Sequence, residues 1–354
     1  MFGAGIGECV VVHLGAGNWM VVDSCLNAAG DKPIVLEYLE GIGVDVASQV
    51  SLILITHWHD DHIRGIAQIL RYATSARFGC SAALNSKEFL TLVVADEDIK
   101  LVEHTSGASE FADVLKALDS RTSKPCRAGP DHWACDGLRL YSEANPCRVE
   151  VHALSPSSQT VTDTKGDIAG LIPTAHQIIR RFHSTGPNDL SVVLLVSTAG
   201  LHLLLGADLE RGGDRRRGWQ AILGSALRPR VTSSGYKVAH HGSKNADIDG
   251  IWDNLLVNNP CAVLTPFARG PKPLPSDDDV SRIKKKTNRL YCTTAWPPTK
   301  SPPRRDKAVE RTMREVVRSR RAVRKCPGHI RVRAPFGGKP EDLMVDLFDG
   351  ATAL

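Results

Sequence analysis

Apolar and polar positions alternate along the chain in short blocks that predict strands and helices in turn. Residues 8–13 and 18–22 alternate on either side of a glycine-rich turn, which predicts a β-hairpin. The apolar run at residues 50–55 predicts a buried strand, and leucine and isoleucine at helical spacing in residues 33–42 predict a short helix. The alternation continues through residues 63–118, so the chain is predicted to have a mixed α/β fold.

Three segments interrupt this alternation. Residues 121–147 are rich in Pro, Cys, Gly and charge, and they predict a long surface excursion. Residues 155–187 are interpreted as an insertion with a helix at about 174–182, and residues 295–327 as a second, basic insertion. Loops on a rigid scaffold usually set specificity, so these insertions are expected to shape a substrate entrance on one domain of residues 1–354.

A dense group of metal-binding side chain types follows the strand at residues 50–55. Residues 56–65 read T-H-W-H-D-D-H-I-R-G, which places His57, His59, Asp61 and His62 within six positions. Alternation along an extended chain would point His57 and His59 the same way. Imidazole and carboxylate are the ligands that zinc and similar divalent ions prefer, and four so close can hold two ions. The other interpretation, a polar loop with incidental histidines, rarely produces this spacing.

This H-x-H-x-D-H spacing resembles the second motif of the metallo-β-lactamase fold hydrolases. Further landmarks follow in the order of that family: Asp23 after a strand, Asp208 after residues 201–205, and His240-His241-Gly242-Ser243 after residues 236–239. The resemblance spans roughly residues 3–335 and implies a four-layer αββα sandwich.

Finer features look most like the hydrolase domain of bacterial competence (DNA-uptake) proteins. These features are the H-H-G-S form, the early Gly5-Ile6-Gly7-Glu8 and the predicted strand at residues 260–267. That subgroup is associated with nuclease chemistry. The resemblance therefore implies phosphodiester hydrolysis as the leading activity. Ser243 and Lys244 are either ordinary turn residues or contacts for a phosphate.

The resemblance also implies a centre of two divalent ions, zinc or manganese, with magnesium as a further candidate. The expected ligands are His57 and His59 on the first ion, Asp61 and His62 on the second, and Asp208 bridging them, with His240 completing the second site. His241 is the alternative to His240, or it acts on the substrate as a proton donor. Asp61 is also expected to orient the attacking hydroxide. Asp23 is expected to support the ligands without touching the ions.

One position departs from the family pattern. The third motif normally supplies a histidine, but residues 186–191 read G-P-N-D-L-S. The competence-type subgroup tends to have asparagine here. Asn188, Asp189, a water or His183 could fill the missing ligand position, and Asp189 is assigned a supporting place beside the first ion. A ligand set richer in oxygen favours harder ions than zinc.

Charge is distributed unevenly along the chain. Residues 269–333 hold 20 Lys and Arg against 6 Asp and Glu, a net charge of +14, whereas the rest of the chain carries −9 for a total of +5. Within a predicted helix at about 306–322, Arg311, Arg314, Arg318 and Arg321 share one face. This face is either an ordinary solvated one or a clamp on the phosphates of DNA or RNA.

Composition indicates the cellular environment of the protein. The nine cysteines are scattered, odd in number and without a C-x-x-C pair, which argues against a disulfide framework and favours free thiols in a reducing cytoplasm. No apolar stretch approaches the ~18 residues of a membrane span, and the first residues lack a signal peptide pattern. We therefore expect a cytoplasmic, soluble protein without a membrane partner.

Three functions remain open from the sequence. The leading hypothesis is a soluble metal-dependent nuclease or phosphodiesterase that uses a metal-activated water. The second is hydrolysis of a small molecule such as a lactone, a thioester, a β-lactam or a cyclic nucleotide, because one fold hosts many chemistries. The third is a non-catalytic, metal-stabilised subunit that docks onto nucleic acid or onto a protein assembly of unknown identity.

Overall fold

The computed structural model describes residues 1–3, 7–85, 107–121, 130–144, 148–169, 187–268, 273–296, 307–317 and 328–354. These residues form two eight-stranded β-sheets with helices on their outer faces. The strands in chain order are β1 (Phe2–Gly3), β2 (Glu8–Gly15), β3 (Asn18–Val22), β4 (Val50–Leu54), β5 (Arg77–Ser81), β6 (His132–Ala134), β7 (Arg139–Glu143), β8 (Val149–Ala153), β9 (Leu194–Ser197), β10 (His202–Leu205), β11 (Ser233–Lys237), β12 (Leu256–Leu264), β13 (Leu290–Cys292), β14 (His329–Arg333), β15 (Met344–Phe348) and β16 (Thr352–Ala353).

Strands β1 to β6 belong to the first sheet and β7 to β13 to the second. Of the C-terminal strands, β14 and β15 join the first sheet and β16 joins the second. The order in the first sheet is β15-β14-β1-β2-β3-β4-β5-β6, and in the second it is β16-β13-β12-β11-β10-β9-β8-β7. Strands β3 to β6 are parallel to one another, as are β10 to β13. The C-terminal ends of these parallel strands therefore lie along one edge of each sheet, where open α/β sheets bind their ligands.

Apolar side chains separate the structure into four layers. One buried cluster, which includes Phe78 and Phe111, packs the outer face of the first sheet against helices. A second, around Trp219, does the same for the second sheet, and a third fills the space between the sheets. The described helices are Ile34–Gly41, Val46–Gln49, Asp60–Ile63, Ile66–Tyr72, Gly107–Asp119, Ser158–Ala169, Gly218–Gly224, Asp249–Asn254, Asp277–Lys284 and Lys307–Val316. This arrangement is the predicted αββα sandwich.

Some predicted elements differ from the structure. The predicted helix at residues 63–72 begins at Ile66, because Gly65 adopts a φ of 84° and separates it from the short helix Asp60–Ile63. A Cβ at this glycine would lie 2.8 Å from Cγ of Pro33, so only glycine fits. The predicted excursion at residues 121–147 contains the edge strands β6 and β7, one in each sheet. These strands were not predicted because each has only a short apolar pair, such as Leu140 and Tyr141, between polar residues.

Other predictions concern residues outside the described part of the chain. The predicted helices at residues 86–94 and 174–182 both lie there, whereas the helix Ser158–Ala169 was not predicted. The single-domain boundaries and the two insertions stay predictions. Within the described residues, six cysteines carry free thiols, and no helix is both long and apolar enough to cross a membrane.

Candidate metal centre

Two imidazoles and two carboxylates converge where the parallel strands of both sheets end. His62 Nε2 lies 3.5 Å from Asp61 Oδ2 and 3.4 Å from Asp208 Oδ2. His241 Nε2 lies 3.4 Å from each of the same two oxygens. In a tetrahedral site with bonds of ~2.1 Å, neighbouring ligand atoms lie ~3.4 Å apart. The four distances between an imidazole nitrogen and a carboxylate oxygen are therefore those expected between neighbouring ligands of one divalent ion.

The positioning of His62 begins at Asp23, directly after β3. Asp23 adopts a φ of 58° and its Oδ2 accepts from His62 Nδ1 at 2.7 Å, which leaves His62 Nε2 as the free ligand atom. Asp23 also accepts hydrogen bonds from the backbone N–H and the hydroxyl of Thr56. Because the Thr56 hydroxyl donates to Asp23, its lone pair accepts from His57 Nδ1 at 3.0 Å. Asp23 thus contacts His62 directly and His57 through Thr56, and its supporting role at a metal centre stays a prediction.

A left-handed turn positions His241 after β11. Residues His240 and His241 have φ values of 44° and 53°, and Gly242 follows at 81°. The turn carries His241 inward, where Nδ1 donates to the carbonyl oxygen of Thr265 at 3.0 Å and the ring stacks on Phe267. Nε2 is therefore the atom that faces Asp61 and Asp208. Strain of this kind in non-glycine residues is concentrated at functional sites.

The cluster is buried and highly charged. Burial alone would lower the pKa of His241, but Asp208, Asp61 and Glu8 raise it to about 10. Burial opposes the charged form of His62 too, yet Asp208, Asp61 and Glu8 raise its pKa well above the usual value. Burial would raise the pKa of Asp208, but His241 and His62 hold it well below the usual carboxyl value. The two carboxylates are therefore anionic, and positive charge beside them is electrostatically favourable.

The donor atoms present suit a divalent ion. His62 Nε2 is fully buried without a hydrogen-bond partner among the described residues, which is costly for a polar atom. Glu8 also lies in the cluster, because Glu8, His62, Asp208 and His241 offer ligand atoms within 4.8 Å of one another. Both Glu8 oxygens are engaged, however, since Oε1 lies 2.5 Å from Lys237 Nζ and Oε2 accepts from the Thr265 hydroxyl. Asp61 is therefore the better fourth ligand, and the cluster indicates a divalent metal site of unspecified metal.

His57 and His59 lie beside this cluster. The strand β4 ends at Leu54, so both histidines follow the strand instead of alternating along it. They nevertheless face each other, with His57 Nε2 3.0 Å from His59 Nδ1, and the rings of His57 and His62 are 4.2 Å apart. Burial and neighbouring histidines lower the pKa of His57, which keeps it neutral as a ligand must be. This pair suits the predicted first ion, whose presence stays a prediction.

The structure places His240 differently from the sequence prediction. Its Nδ1 lies 3.1 Å from Asn245 Oδ1 and 3.5 Å from Glu210 Oε1, and its Nε2 lies 3.4 Å from Asn188 Nδ2. His241, the stated alternative, occupies the predicted place of His240, because the left-handed turn points the two adjacent side chains in different directions. Both follow the strand directly, so sequence position alone could not separate them.

Asn188 and Asp189, at the third-motif position, lie on the same side as His240. Asn188 Nδ2 donates to Glu210 Oε1 at 2.8 Å, while its buried Oδ1 has no partner among the described residues. Asp189 lines a cavity of about 690 Å³ beside the centre, and burial followed by the charge of Glu210 raises its pKa. His183 lies outside the described residues.

The cavity is lined almost entirely by polar or small residues. Its walls are Asp189, Glu210, Arg211, Gly212, Gly213, Ser243, Lys244 and Asn245. Two of these, Arg211 and Lys244, are cationic, and two, Asp189 and Glu210, are carboxylates. The sequence offered Lys244 as a contact for a phosphate, whereas Arg211 was not predicted as one. The signal it could have used is the basic run at residues 211–217, which begins three residues after Asp208.

The predicted nucleic-acid clamp is described only in part. Arg311 and Arg314 lie in the helix Lys307–Val316, and the exposed Arg311 pairs with Glu315 at 3.4 Å. Arg318 and Arg321 lie outside the described residues. A nucleic-acid role for this helix stays a prediction.

Sequence comparison supports the resemblance over the N-terminal part of the chain. Residues 2–92 match the family model of the metallo-beta-lactamase superfamily. A hydroxyacylglutathione hydrolase from Pseudomonas fluorescens (strain SBW25) is 29% identical over 214 residues, which are 53% of this chain and 82% of that protein. The finer assignment to the competence-type subgroup is not confirmed and stays a prediction.

Solved structures give a weaker similarity. A metallo-β-lactamase with a HARLDQ motif from Cronobacter sakazakii is 16% identical, with a TM-score of 0.32 over 60% of this chain and 62% of that one. The subclass B3 metallo-β-lactamase MEM-A1, from a soil metagenome library, is 14% identical, with a TM-score of 0.32 over 68% of this chain and 79% of that one. Similarity at this level carries no inference about substrate.

The two sheets, their outer helices and the matched residues 2–92 together support a metallo-β-lactamase superfamily domain. The buried group of histidines and carboxylates lies where the parallel strands of both sheets end. The chain therefore has the metallo-β-lactamase fold, with a candidate divalent metal centre at the strand ends.

Proposed function

We propose that this protein is a metal-dependent hydrolase that cleaves phosphodiester bonds, as a nuclease or phosphodiesterase. The observation that carries the proposal is the convergence of Asp61, His62, Asp208 and His241 near a polar cavity whose walls carry two cations and two carboxylates. A divalent ion bound there lowers the pKa of a bound water and polarises a phosphoryl oxygen. The two-ion form, with His57 and His59 on the other ion, belongs to the same proposal.

The side chains have different roles in this reaction. Asp23 and the Thr265 carbonyl fix the tautomers of His62 and His241, so that Nε2 of each faces the ion position. The carboxylate of Asp61, on the open side of the cluster, is placed to accept a proton from the attacking water. Arg211 and Lys244 on the cavity wall supply charge to a phosphate.

Thioester hydrolysis is the second candidate, because the relative at 29% identity is named as a hydroxyacylglutathione hydrolase. Glutathione is also anionic, so the cations of the cavity suit either substrate. The phosphodiester proposal is favoured because no large apolar side chain is among the described residues that line this cavity. A direct comparison of the two substrate classes decides between them.

The test is hydrolysis of plasmid, single-stranded DNA, RNA and a hydroxyacyl-glutathione thioester, with manganese, magnesium or zinc. Asp61→Ala is the test variant, and Asp60→Ala is its matched control because Asp60 pairs instead with Arg64 at 3.0 Å. We expect metal-dependent cleavage of a nucleic acid that Asp61→Ala abolishes and Asp60→Ala retains. Cleavage of the thioester alone, or equal cleavage by both variants, would show that the proposal is wrong.

A further inference from the structure

The loop that follows Asp208 carries exposed cations at the edge of the cavity. Residues 211–217 read R-G-G-D-R-R-R, and we call them the arginine loop. Arg216 and Arg217 are engaged, with Asp214 and Asp163 respectively. The side chains of Arg211 and Arg215 are exposed, and no carboxylate in the described part of the chain pairs with either. These two guanidinium groups are therefore available to an external anion.

Two glycines fix the backbone at the ends of the arginine loop: Gly212 inside it and Gly218 directly after it. Gly212 and Gly218 have φ values of 87° and 57°. A Cβ on Gly212 would overlap the carbonyl oxygen of Arg217, and one on Gly218 would overlap that of Glu210. The start and end of the loop thus lie in direct contact. A loop held in one shape presents its cations with little loss of entropy on binding.

Hydrogen bonds tie the arginine loop to both sides of the metal centre. The N–H of Arg211 donates to the carbonyl oxygen of Asn245 at 2.9 Å, next to Lys244 and close after His241. The indole N–H of Trp219, just beyond the loop, donates to the carbonyl oxygen of Leu209 at 2.7 Å. Arg211 is three residues from Asp208, so their Cα atoms lie at most ~10 Å apart. Arg211, Lys244 and the metal centre thus share one short stretch of surface.

We propose that the arginine loop and Lys244 form the docking surface for the phosphate backbone of a single nucleic acid strand that enters the metal centre. This inference rests on the proposed phosphodiester activity and names its substrate as a polymer. A small phosphodiester has no adjacent phosphates to occupy Arg211 and Arg215, whereas a strand places several there in succession. Each cation that neutralises a phosphate releases counterions, and binding then weakens steeply with salt.

The test measures strand binding separately from cleavage. The full chain is titrated, in EDTA, into a fluorescein-labelled single-stranded DNA of about 20 nucleotides, and anisotropy gives Kd from about 50 to about 300 mM salt. Arg211→Ala/Arg215→Ala is the test variant and Lys244→Ala a second one. Arg148→Ala is the matched control, because Arg148 is 77% exposed and precedes β8, which runs parallel to β10, so it lies at the edge opposite the centre.

We expect the double variant to raise Kd about 25-fold at about 0.1 M salt, at about 5-fold per cation, and to reduce the slope of log K against log salt by ~1.4. Lys244→Ala should raise Kd about 5-fold, and Arg148→Ala should change little. An unchanged Kd and slope in the double variant, or an equal loss in Arg148→Ala, overturns the inference.

Cleavage assays on the same proteins separate this inference from the proposed function. Strand binding that depends on the arginine loop, without metal-dependent cleavage, supports the docking surface and overturns the proposed activity. Cleavage that depends on Asp61 but is unaffected by the loop variants supports the activity and overturns the docking surface. On bis(p-nitrophenyl) phosphate, which offers a single phosphate, the double variant should raise KM less than it raises Kd for the strand, and an equal rise contradicts a polymer-specific surface.

Discussion

The buried Lys237–Glu8 pair beneath the metal centre gives a sharp prediction about stability. Lys237 lies in β11 with its side chain 3% exposed, and its Nζ is 2.5 Å from Glu8 Oε1, 2.8 Å from the Ala207 carbonyl oxygen and 3.5 Å from Asp208 Oδ1. Burial would lower the pKa of Lys237, but Glu8 and Asp208 raise it above 10.5. The ammonium is therefore charged, and its stabilising contribution is present throughout the neutral range and is lost only as pH rises through the raised value.

We expect Lys237→Met to lower the free energy of unfolding by about 3–5 kcal/mol, because the buried Glu8 carboxylate loses its nearest cation. The double variant Glu8→Gln/Lys237→Met should recover most of that loss, since it removes both charges together. The side-chain amide oxygen that this variant introduces can still accept from the Thr265 hydroxyl, which donates to Glu8 at 2.6 Å. The measurement is urea denaturation in EDTA, so that metal binding does not contribute.

The matched control is the same substitution in an exposed pair. Lys286 Nζ lies 2.6 Å from Asp249 Oδ1 at the surface, so Lys286→Met should change stability little. If the double variant loses as much free energy of unfolding as Glu8→Gln and Lys237→Met lose in sum, the two charges do not interact and the prediction is wrong. An equal loss in Lys286→Met would show that the effect comes from the methionine and not from the buried charge.

Four further predictions concern the metal centre and the arginine loop. Zinc or manganese should raise the melting temperature of the apo protein and EDTA should reverse the rise, which differential scanning calorimetry measures. His241→Ala should abolish this rise and His240→Ala should retain it, because only His241 faces the cluster. Asp23→Asn should weaken metal binding ~10–100-fold in isothermal titration, through loss of its imidazole contact. Gly218→Ala should destabilise the fold by more than ~1 kcal/mol in urea, because a Cβ there would overlap the carbonyl oxygen of Glu210.

Much of the centre could be predicted because its ligands are close in sequence. Asp61 and His62 follow β4 directly, so one motif contained half of the four-atom cluster. Asp208 and His241 come from the second sheet and were found only through resemblance to a family, since spacing in sequence carries no information about contacts between sheets. The choice between His240 and His241 depended on backbone dihedrals of the turn, which residue types do not reveal.

Other parts of the site were missed for physical reasons. Lys237 stands between Tyr236 and Val238 in an apolar strand, where a lone lysine is usually exposed, but burial against Glu8 from the other sheet reverses that expectation. The arginine loop was overlooked because charge density alone favours residues 269–333. Its position three residues after Asp208 makes this shorter run the better candidate.

The division of the four ligands between the two sheets has a consequence for how the halves of the protein associate. Asp61 and His62 follow a strand of the first sheet, and Asp208 and His241 follow strands of the second. An ion bound to all four would join the two sheets and stabilise the folded state, because only that state brings the four ligands together. Two fragments that carry one pair of ligands each should therefore reassociate more tightly with the ion than without it. The metal would then support association of the two halves as well as hydrolysis.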